Sequence, residues 1–482
     1  MSHTVEKIGG TSMSEYEAVR DNVVLNNAKD DGEGEGLYNR IFVVSAYGGV
    51  TDLLLENKKN GQPGVYGLFA STDDDDPWME AFDKVRKRIL ELNKEFFGDT
   101  DLQKEANAYI KERLDDAERC LSDLQRLCQH GHFELGAHLF TVREMLASIG
   151  EAHSAWNMAR LLQRDGVNAR FVDLSGWKTD GAKPLDEMIK SSFDGIDFDK
   201  ELPIVTGYTH CKEGLMASFD RGYSEMTFSR IAVITGAREA VIHKEFHLSS
   251  ADPRLVGADK VVPIGRTNYD VADQLANLGM EAIHPRAAKG LRQNGIPLRV
   301  KNTFDPEHAG TLITGDYVSE QPRVEIIAGR KGLYAIELFD QDMMGNIEKY
   351  DSGILHQISR FKAHVVSKDI NANTIVHYVA GNLKTVNRIR RELEEKYPEA
   401  ELDVRKVAVV SAIGSDMKVS GMLAKTATAL SSSDISVLAV HQSIRQVDMQ
   451  FIIDEDDYDL AVKSLHKALV EVHNHGDAIC AA

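Results

Sequence analysis

The sequence predicts an α/β chain: one large domain around a mostly parallel sheet, then two smaller α+β units. Three observations carry this expectation. Strand, glycine turn, helix and strand alternate in the opening fifty or so residues, the pattern of a parallel sheet. Buried-type strands return after a long helical stretch. Beyond Gln321 and Pro322 two segments of similar layout follow one another. A length of 482 residues also suits about three domains at roughly 150 residues each.

The elements follow in order. Thr4 to Ile8 reads as a short strand leading into two glycines, and Ser14 to Asn27 as a helix. DDGEGEGLYN is a loop. RIFVVSAY, from Arg40, is a buried-type strand that ends in GGVT and a further helix. Residues 57 to 80 are polar and irregular, with DDDD at 73 to 76 as a solvated loop. From about 80 to 165 the chain is charged and helix-like, a lid or a dimer surface; Leu135, Leu139, Met145 and Ile149 are its core stripe. ARFVDL and LPIVTGY are strands again, RIAVITGAREAVIH is a helix and a strand, and PLRVKNTF closes the large domain. VEIIAGRKGLYAIELF with DSGILHQISRFKAHVVSK, and VRKVAVVSAIG with SGMLAKTATALSSSDISVLAVHQ, then form a weak repeat of βαββαβ type. The expected division is 1–320 with a helical insertion at 57–135, then 321–402, then 403–482, the last two open to being intertwined.

Composition narrows the function. Hydrophobic residues make up 43 % of the chain, enough for packed cores. The net charge of −19 repels nucleic-acid phosphate and anionic lipid, so neither is an expected partner. Cys120, Cys128, Cys211 and Cys480 form no C-x-x-C pair, which suits a reduced, cytoplasmic protein without structural zinc. No secretory signal and no apolar run of membrane-spanning length is apparent. His130 with His132, and His473 with His475, are close in sequence but lack further ligands, so no side-chain metal site is expected.

VEKIGGTSM, at 5–13, is the motif with chemistry in it. N–H groups at a helix start are unpaired and sit at its positive end. Gly9 and Gly10 let an anion approach them with no Cβ in the way, Thr11 and Ser12 add hydroxyl donors, and Lys7 adds a full charge. The spacing is not that of a P-loop. On these residues alone, a phosphate cradle and a structural tight turn read equally well.

Lys7-Ile-Gly-Gly-Thr-Ser resembles the K-F-G-G-T-S opening of the aspartate kinases, in the amino acid kinase superfamily. VVSAYGGVTDLL resembles their second glycine turn, Gly150-Glu151 their G-E, and FDRGYSEMT their G-R-G-G-S-D. SSADPRLV is similar to their T-x-D-P-R and LGMEAIHPRA to their F-G-A-K-V-L-H-P. The series keeps the family's order over nearly the whole chain. KIGGTSM, FDRGYSE and HKEFHLSSADP resemble most the specialised aspartate kinases of ectoine biosynthesis. The resemblance implies the amino acid kinase fold, a three-layer sandwich, followed by paired ACT units, and a homodimer through those units.

It also implies a reaction: the γ-phosphoryl of ATP, carried with Mg²⁺, moves onto the β-carboxylate of L-aspartate. That carboxylate, with a reference pKa of about 3.9, is already ionised at neutral pH and needs no base. Catalysis then means positioning and charge neutralisation. Lys7 with the amides of Gly9 and Gly10, and the hydroxyls of Thr11 and Ser12, are expected at the phosphates. Arg221 is expected to grip the α-carboxylate through two parallel bonds, Glu151 to accept from the α-ammonium, and Ser45, Thr51 and Ser224 to stand near the amino acid. For Ser45 and Thr51, capping of the turn is an equal alternative. Asp252, Arg254 and Lys260 are expected near the nucleotide.

Three positions depart from the family pattern. Glu225 stands in place of aspartate, where it is expected to orient Lys7 or a magnesium-bound water. Lys244 and Glu281 invert the charges usual at their positions. They are expected at the nucleotide, either as a swapped pair or as independent changes on a rim. Gly345, Asn346 and Ile347 occupy the place of the family's effector loop, without its usual pattern. Two other functions fit the residues less well: a nucleotide- or amino-acid-sensing protein without turnover, and a sibling kinase acting on glutamate or acetylglutamate.

Overall fold

The computed structural model describes residues 3–26, 36–58, 60–71, 76–130, 132–179, 181–219, 222–280 and 283–471. Arg221, Glu281, His473, His475, Cys480 and Asp73 to Asp75 of the acidic run lie outside them. Among the described residues the strands are β1 (Thr4–Ile8), β2 (Arg40–Val44), β3 (Ala169–Val172), β4 (Leu202–Thr206), β5 (Glu239–Lys244), β6 (Arg266–Asn268) and β7 (Leu298–Asn302). They continue as β8 (Thr311–Thr314), β9 (Ile326–Phe339), β10 (His364–Ile370), β11 (Thr374–Ala380), β12 (Glu401–Ile413), β13 (Val437–Gln442) and β14 (Asp448–Asp454).

The chain forms two compact units. The first holds residues 1–247 and 283–315, the second 248–282 and 316–482. This differs from a single cut near residue 320: the segment 248–282 belongs with the C-terminal part. The cause is its own apolar pattern. Ile264, Val271, Leu275 and Leu278 are buried against Leu333, Val407, Val409 and Ile452 of the second unit's sheet.

In the first unit the strands run β3-β4-β2-β1-β5-β7-β8. All neighbours from β3 to β7 are parallel, and β8 returns antiparallel to β7. β1, β2 and β4 are buried along their whole length, which explains why β2 and β4 read as largely apolar runs rather than alternating ones, while β1 buries Glu6 and Lys7 as well. Parallel strands bring all their C-terminal ends to one edge, and ligands of open α/β sheets bind there. The ends of β1, β2 and β5 carry Lys7 with Gly9, Ser45 with Gly48, and Lys244.

The helical insertion packs one face into the core of the first unit. Helices Asp76–Phe97 and Asp101–Cys128 bury Trp78, Phe82, Ile89, Ile110, Leu114 and Leu121 in the same cluster as Phe42 and Val44 of β2. Arg113 fastens the insertion to the end of β3. It is buried, pairs with Asp173, donates to Ser175 Oγ at 2.9 Å and lies over the ring of Tyr109. Its charge was visible in the sequence; that it points inward was not.

In the second unit, β10-β11-β9-β12-β14-β13 make one antiparallel sheet. The long strands β9 and β12 pair from Ile326↔Ile413 to Phe339↔Glu401 with a register shift midway, so each serves both ends of the sheet. The repeated segments are therefore intertwined rather than consecutive. Residues 340–400 are inserted between the two central strands and pack their helices on Ile336 and Leu338, while Tyr458–Leu469 packs on Val410 and Phe451.

Candidate active site

The two glycine turns touch, and this sets the site. A Cβ on Gly10 would lie 2.5 Å from the carbonyl oxygen of Ala46, too close for any side chain. Ser14 ties the turns together: its Oγ donates to Gly10 O at 3.3 Å and accepts from Gly48 N–H at 3.0 Å. Gly49 then takes a left-handed φ of +81° and opens the helix Val50–Leu54. Ser14 was missed as a functional residue; the hydroxyl four residues after Gly10 was its signal.

Not every donor expected in the first turn faces outward. The Gly9 N–H donates to His243 O at 3.3 Å, so it serves the β1–β5 ladder and not an anion. Ser12 is fully buried and its Oγ accepts from Thr303 Oγ1 at 3.1 Å. Lys7, the Gly10 amide and the exposed Thr11 remain at the surface of the turn, where Gly10 begins a one-turn helix.

Lys7 is 7 % exposed and stands between two carboxyls, Glu151 buried and Glu225 half-buried. Glu225, in the first turn of helix Tyr223–Thr235, places Oε1 3.7 Å from Lys7 Nζ and accepts the His284 N–H on Oε2 at 2.5 Å. Burial works to raise its pKa, but Lys7, Lys244 and the His284 N–H outweigh that and hold it below the usual carboxylate value. The longer Glu side chain thus spans two partners at once. His284 was not singled out in the sequence, although it opens the HPRA segment.

Glu151 is the opposite case. It sits 2 % exposed on helix Leu139–Arg164. Burial pushes its pKa up to about 8, against the pull of Lys7, of the Tyr223 and Ser224 hydroxyls and of the Ala46 N–H. Its Oε2 meets no donor among the described residues. The wall behind that oxygen is Gly207, whose Cβ would come 2.6 Å from it and 2.8 Å from Ser224 Cβ. Gly150 lets the helix press on the second turn, a Cβ there being 2.9 Å from that of Ala46. Ser45 Oγ lies 3.5 Å from Ser224 Oγ, and Thr51 is half-buried in the first turn after Gly49. Lys7, Ser45, Glu151, Ser224 and Glu225 are therefore brought together. Gly207 and Tyr223 were missed; a glycine directly after strand β4 was the only signal for the first.

The remaining candidates lie elsewhere. Lys244 ends β5 and acts on Glu225 through its charge. Arg221 and Glu281 are outside the described residues, so the structure does not address the swapped pair. Asp252, Arg254 and Lys260 are in the second unit. There Asp252 caps Pro253–Val256 and pairs with Arg254 at 2.7 Å, and Arg254 is 88 % exposed. Gly345 has a left-handed φ of +84°, and Asn346 and Ile347 start the helix Ile347–Arg360. No group of three or more His, Cys, Asp or Glu that could hold a metal gathers among the described residues.

Residues 3–302 match the model of the amino acid kinase family, and residues 410–469 that of the ACT domain. Over 480 residues, all of both chains, the sequence is 59 % identical to Aspartate kinase Ask_Ect of Stutzerimonas stutzeri. The chain belongs to the aspartate kinases of the amino acid kinase family. The kinase also shares its fold with solved aspartokinases. Aspartokinase III of E. coli, in complex with lysine and aspartate, superposes with a TM-score of 0.72 at 18 % identity, over 97 % of this chain and 99 % of that one. The same enzyme with aspartate and ADP gives 0.70 over the same shares of the two chains, again at 18 % identity. At such identity these two matches speak for the fold only.

Proposed function

We propose that the pocket between the two glycine turns holds L-aspartate against the terminal phosphoryl of ATP. The reaction of an aspartate kinase transfers that γ-phosphoryl to the β-carboxylate and gives 4-phospho-L-aspartate. One observation carries the placement: a buried carboxyl, Glu151, with an unpartnered oxygen, beside a buried lysine already paired with a second carboxylate. A buried carboxyl held neutral with an open acceptor is completed by a cation. The α-ammonium of an amino acid is a cation of the right size.

In this reading Lys7, the Gly10 amide and Thr11 face the transferring phosphoryl. Ser45 and Ser224 stand near the acceptor carboxylate, and Arg221 reads the α-carboxylate. Magnesium carried on the nucleotide supplies further charge neutralisation, and ionised Glu225 is the carboxylate placed to orient its water. Lys244, Asp252, Arg254, Lys260 and Glu281 are assigned to the nucleotide side, on the resemblance of their segments to the family. No base is required, since the acceptor is ionised.

The ectoine assignment rests on the KIGGTSM, FDRGYSE and HKEFHLSSADP segments. A cytoplasmic location agrees with the absence, among the described residues, of any helix long and apolar enough to cross a membrane. A homodimer through the ACT sheet fits the edge strand β13, where Leu438, Val440 and the nearby Ile444 are exposed; sedimentation tests it, and a monomer at assay concentration removes it. Turnover on aspartate against glutamate, in an assay coupled to ADP release, tests the function. The expected result is turnover on aspartate only. Equal use of both, or none of either, overturns the reading.

A further inference from the structure

The helix that carries Glu151 buries a second carboxyl that the reaction does not use. Glu144 lies seven residues earlier, two turns along the same face, and is 8 % exposed. It accepts the hydroxyl proton of Tyr208 on Oε2 and the Met216 N–H on Oε1, the latter at 2.7 Å. No ion pair to it forms among the described residues. A buried carboxyl with two neutral donors and no cation costs desolvation, so what it fixes in place matters.

We infer that Glu144, acting through Tyr208, is a positioning residue of the amino-acid subsite, one that governs aspartate binding without touching aspartate. This rests on the assignment of Glu151 to the α-ammonium. Two routes connect Glu144 to Glu151. The first is along the chain: Tyr208 follows Gly207, where an added Cβ would come 2.6 Å from Glu151 Oε2, so the backbone there faces that oxygen with room for no side chain. The second is through rings: Tyr208 meets Tyr223 edge to face, centroids 5.8 Å apart at 74°, and the Tyr223 hydroxyl bonds to Glu151. The bond to Met216 adds a third hold, on the start of helix Leu215–Phe219, just ahead of the Gly222–Ser224 turn. None of these contacts is itself made to Lys7, Thr11 or the first glycine turn; Lys7 is reached only through the charge of Glu151. Loosening Tyr208 therefore lets Gly207 and Tyr223 drift at Glu151 and leaves the phosphate side in place.

The test is a kinetic split in the full-length enzyme. Tyr208→Phe deletes one oxygen from a packed ring, and Glu144→Gln keeps the shape but cannot accept from both donors with one oxygen. Each is expected to raise KM for aspartate about tenfold while KM for ATP and kcat stay within about twofold. The double variant is expected to be no worse than Glu144→Gln alone, because both changes break one link. A lower melting temperature with both KM values unchanged, or an equal rise in both, overturns the inference and leaves Glu144 a packing residue. Glu151→Gln, measured alongside, separates the two levels. If it raises KM for aspartate and Tyr208→Phe does not, only this inference falls. If it leaves KM for aspartate unchanged, the assignment of Glu151 falls, and this inference with it.

Discussion

The two walls of the pocket solve opposite problems with the same side-chain chemistry. On the wall of helix Leu139–Arg164, Glu151 is buried with too few partners and its carboxyl is pushed up to about 8. On the wall of helix Tyr223–Thr235, Glu225 is half-buried, and Lys7, Lys244 and the His284 N–H hold its pKa below the usual carboxylate value. Two carboxyls flank one lysine, and only one is fully compensated. When neighbouring groups are driven apart in this way, their roles differ. The ionised wall already has its cation and serves to fix Lys7. The neutral wall lacks one, and in the reading proposed above the ammonium of the substrate supplies it.

Lys7 is common to both walls, so its loss has the largest effect. Lys7→Ala takes from Glu225 the ammonium 3.7 Å away, raises the pKa of both carboxyls and, on the proposed reading, removes the charge at the transferring phosphoryl. A fall in kcat of about a thousandfold, ~4 kcal/mol, is expected from steady-state assays at saturating substrates. A loss below tenfold would mean that the lysine supports the walls but does not face the phosphoryl.

The next effect sharpens the contrast through pH. Glu151 must ionise to accept an ammonium, so binding aspartate releases a proton wherever Glu151 starts neutral. KM for aspartate is expected to fall about tenfold from pH 7 to pH 9 and then level off, while KM for ATP changes little. Glu151→Gln flattens that profile. Stability moves the other way. The folded chain holds this proton more tightly than the unfolded chain does, so the ligand-free fold loses stability as pH rises from about 4.5 to about 8. Glu151→Gln removes that loss, and its melting temperature above pH 8 should exceed that of the wild type. A wild-type profile as flat as the variant's would place the Glu151 carboxyl in the ordinary carboxylate range and erase the contrast.

How legible this was depends on range. The parallel sheet was readable because β2 and β4 are largely apolar runs and because β1, β2 and β4 each meet a glycine or a hydroxyl at the C-terminal end. Lys7, Glu151 and Glu225 were readable because motif order placed them. What escaped was set by approach across the fold. Gly207 is required by atoms of Glu151, Ser224 and Val44, all distant in sequence. Ser12 looked like a phosphate donor, but it is fully buried, where Thr303, 291 positions away, donates to its hydroxyl. The Gly9 amide was claimed by a neighbouring strand in the same manner. In the second unit β9 and β12 each run through both halves of the sheet, an intertwining that a repeat read along the chain left open and could not itself show.

The smallest expected effect concerns the residue that sets the ionised wall apart from the family pattern. Glu225 spans Lys7 at 3.7 Å and the His284 N–H at 2.5 Å. Aspartate in its place is shorter by about 1.5 Å, one C–C bond length, so it cannot keep both contacts without backbone movement. The His284 bond is the shorter, and it belongs to the backbone at the start of helix Pro285–Gln293. A Glu225→Asp side chain that stays with His284 leaves Lys7 less firmly held but still beside a negative charge. The charge balance of both walls survives, and only the position of one ammonium loosens. A fall in kcat of about three- to tenfold is expected, with KM for aspartate and its pH profile unchanged, because Glu151 keeps its surroundings. If Glu225→Asp instead shifts the pH profile of KM, the two carboxyls titrate as a coupled pair, and the division of labour between the walls does not hold.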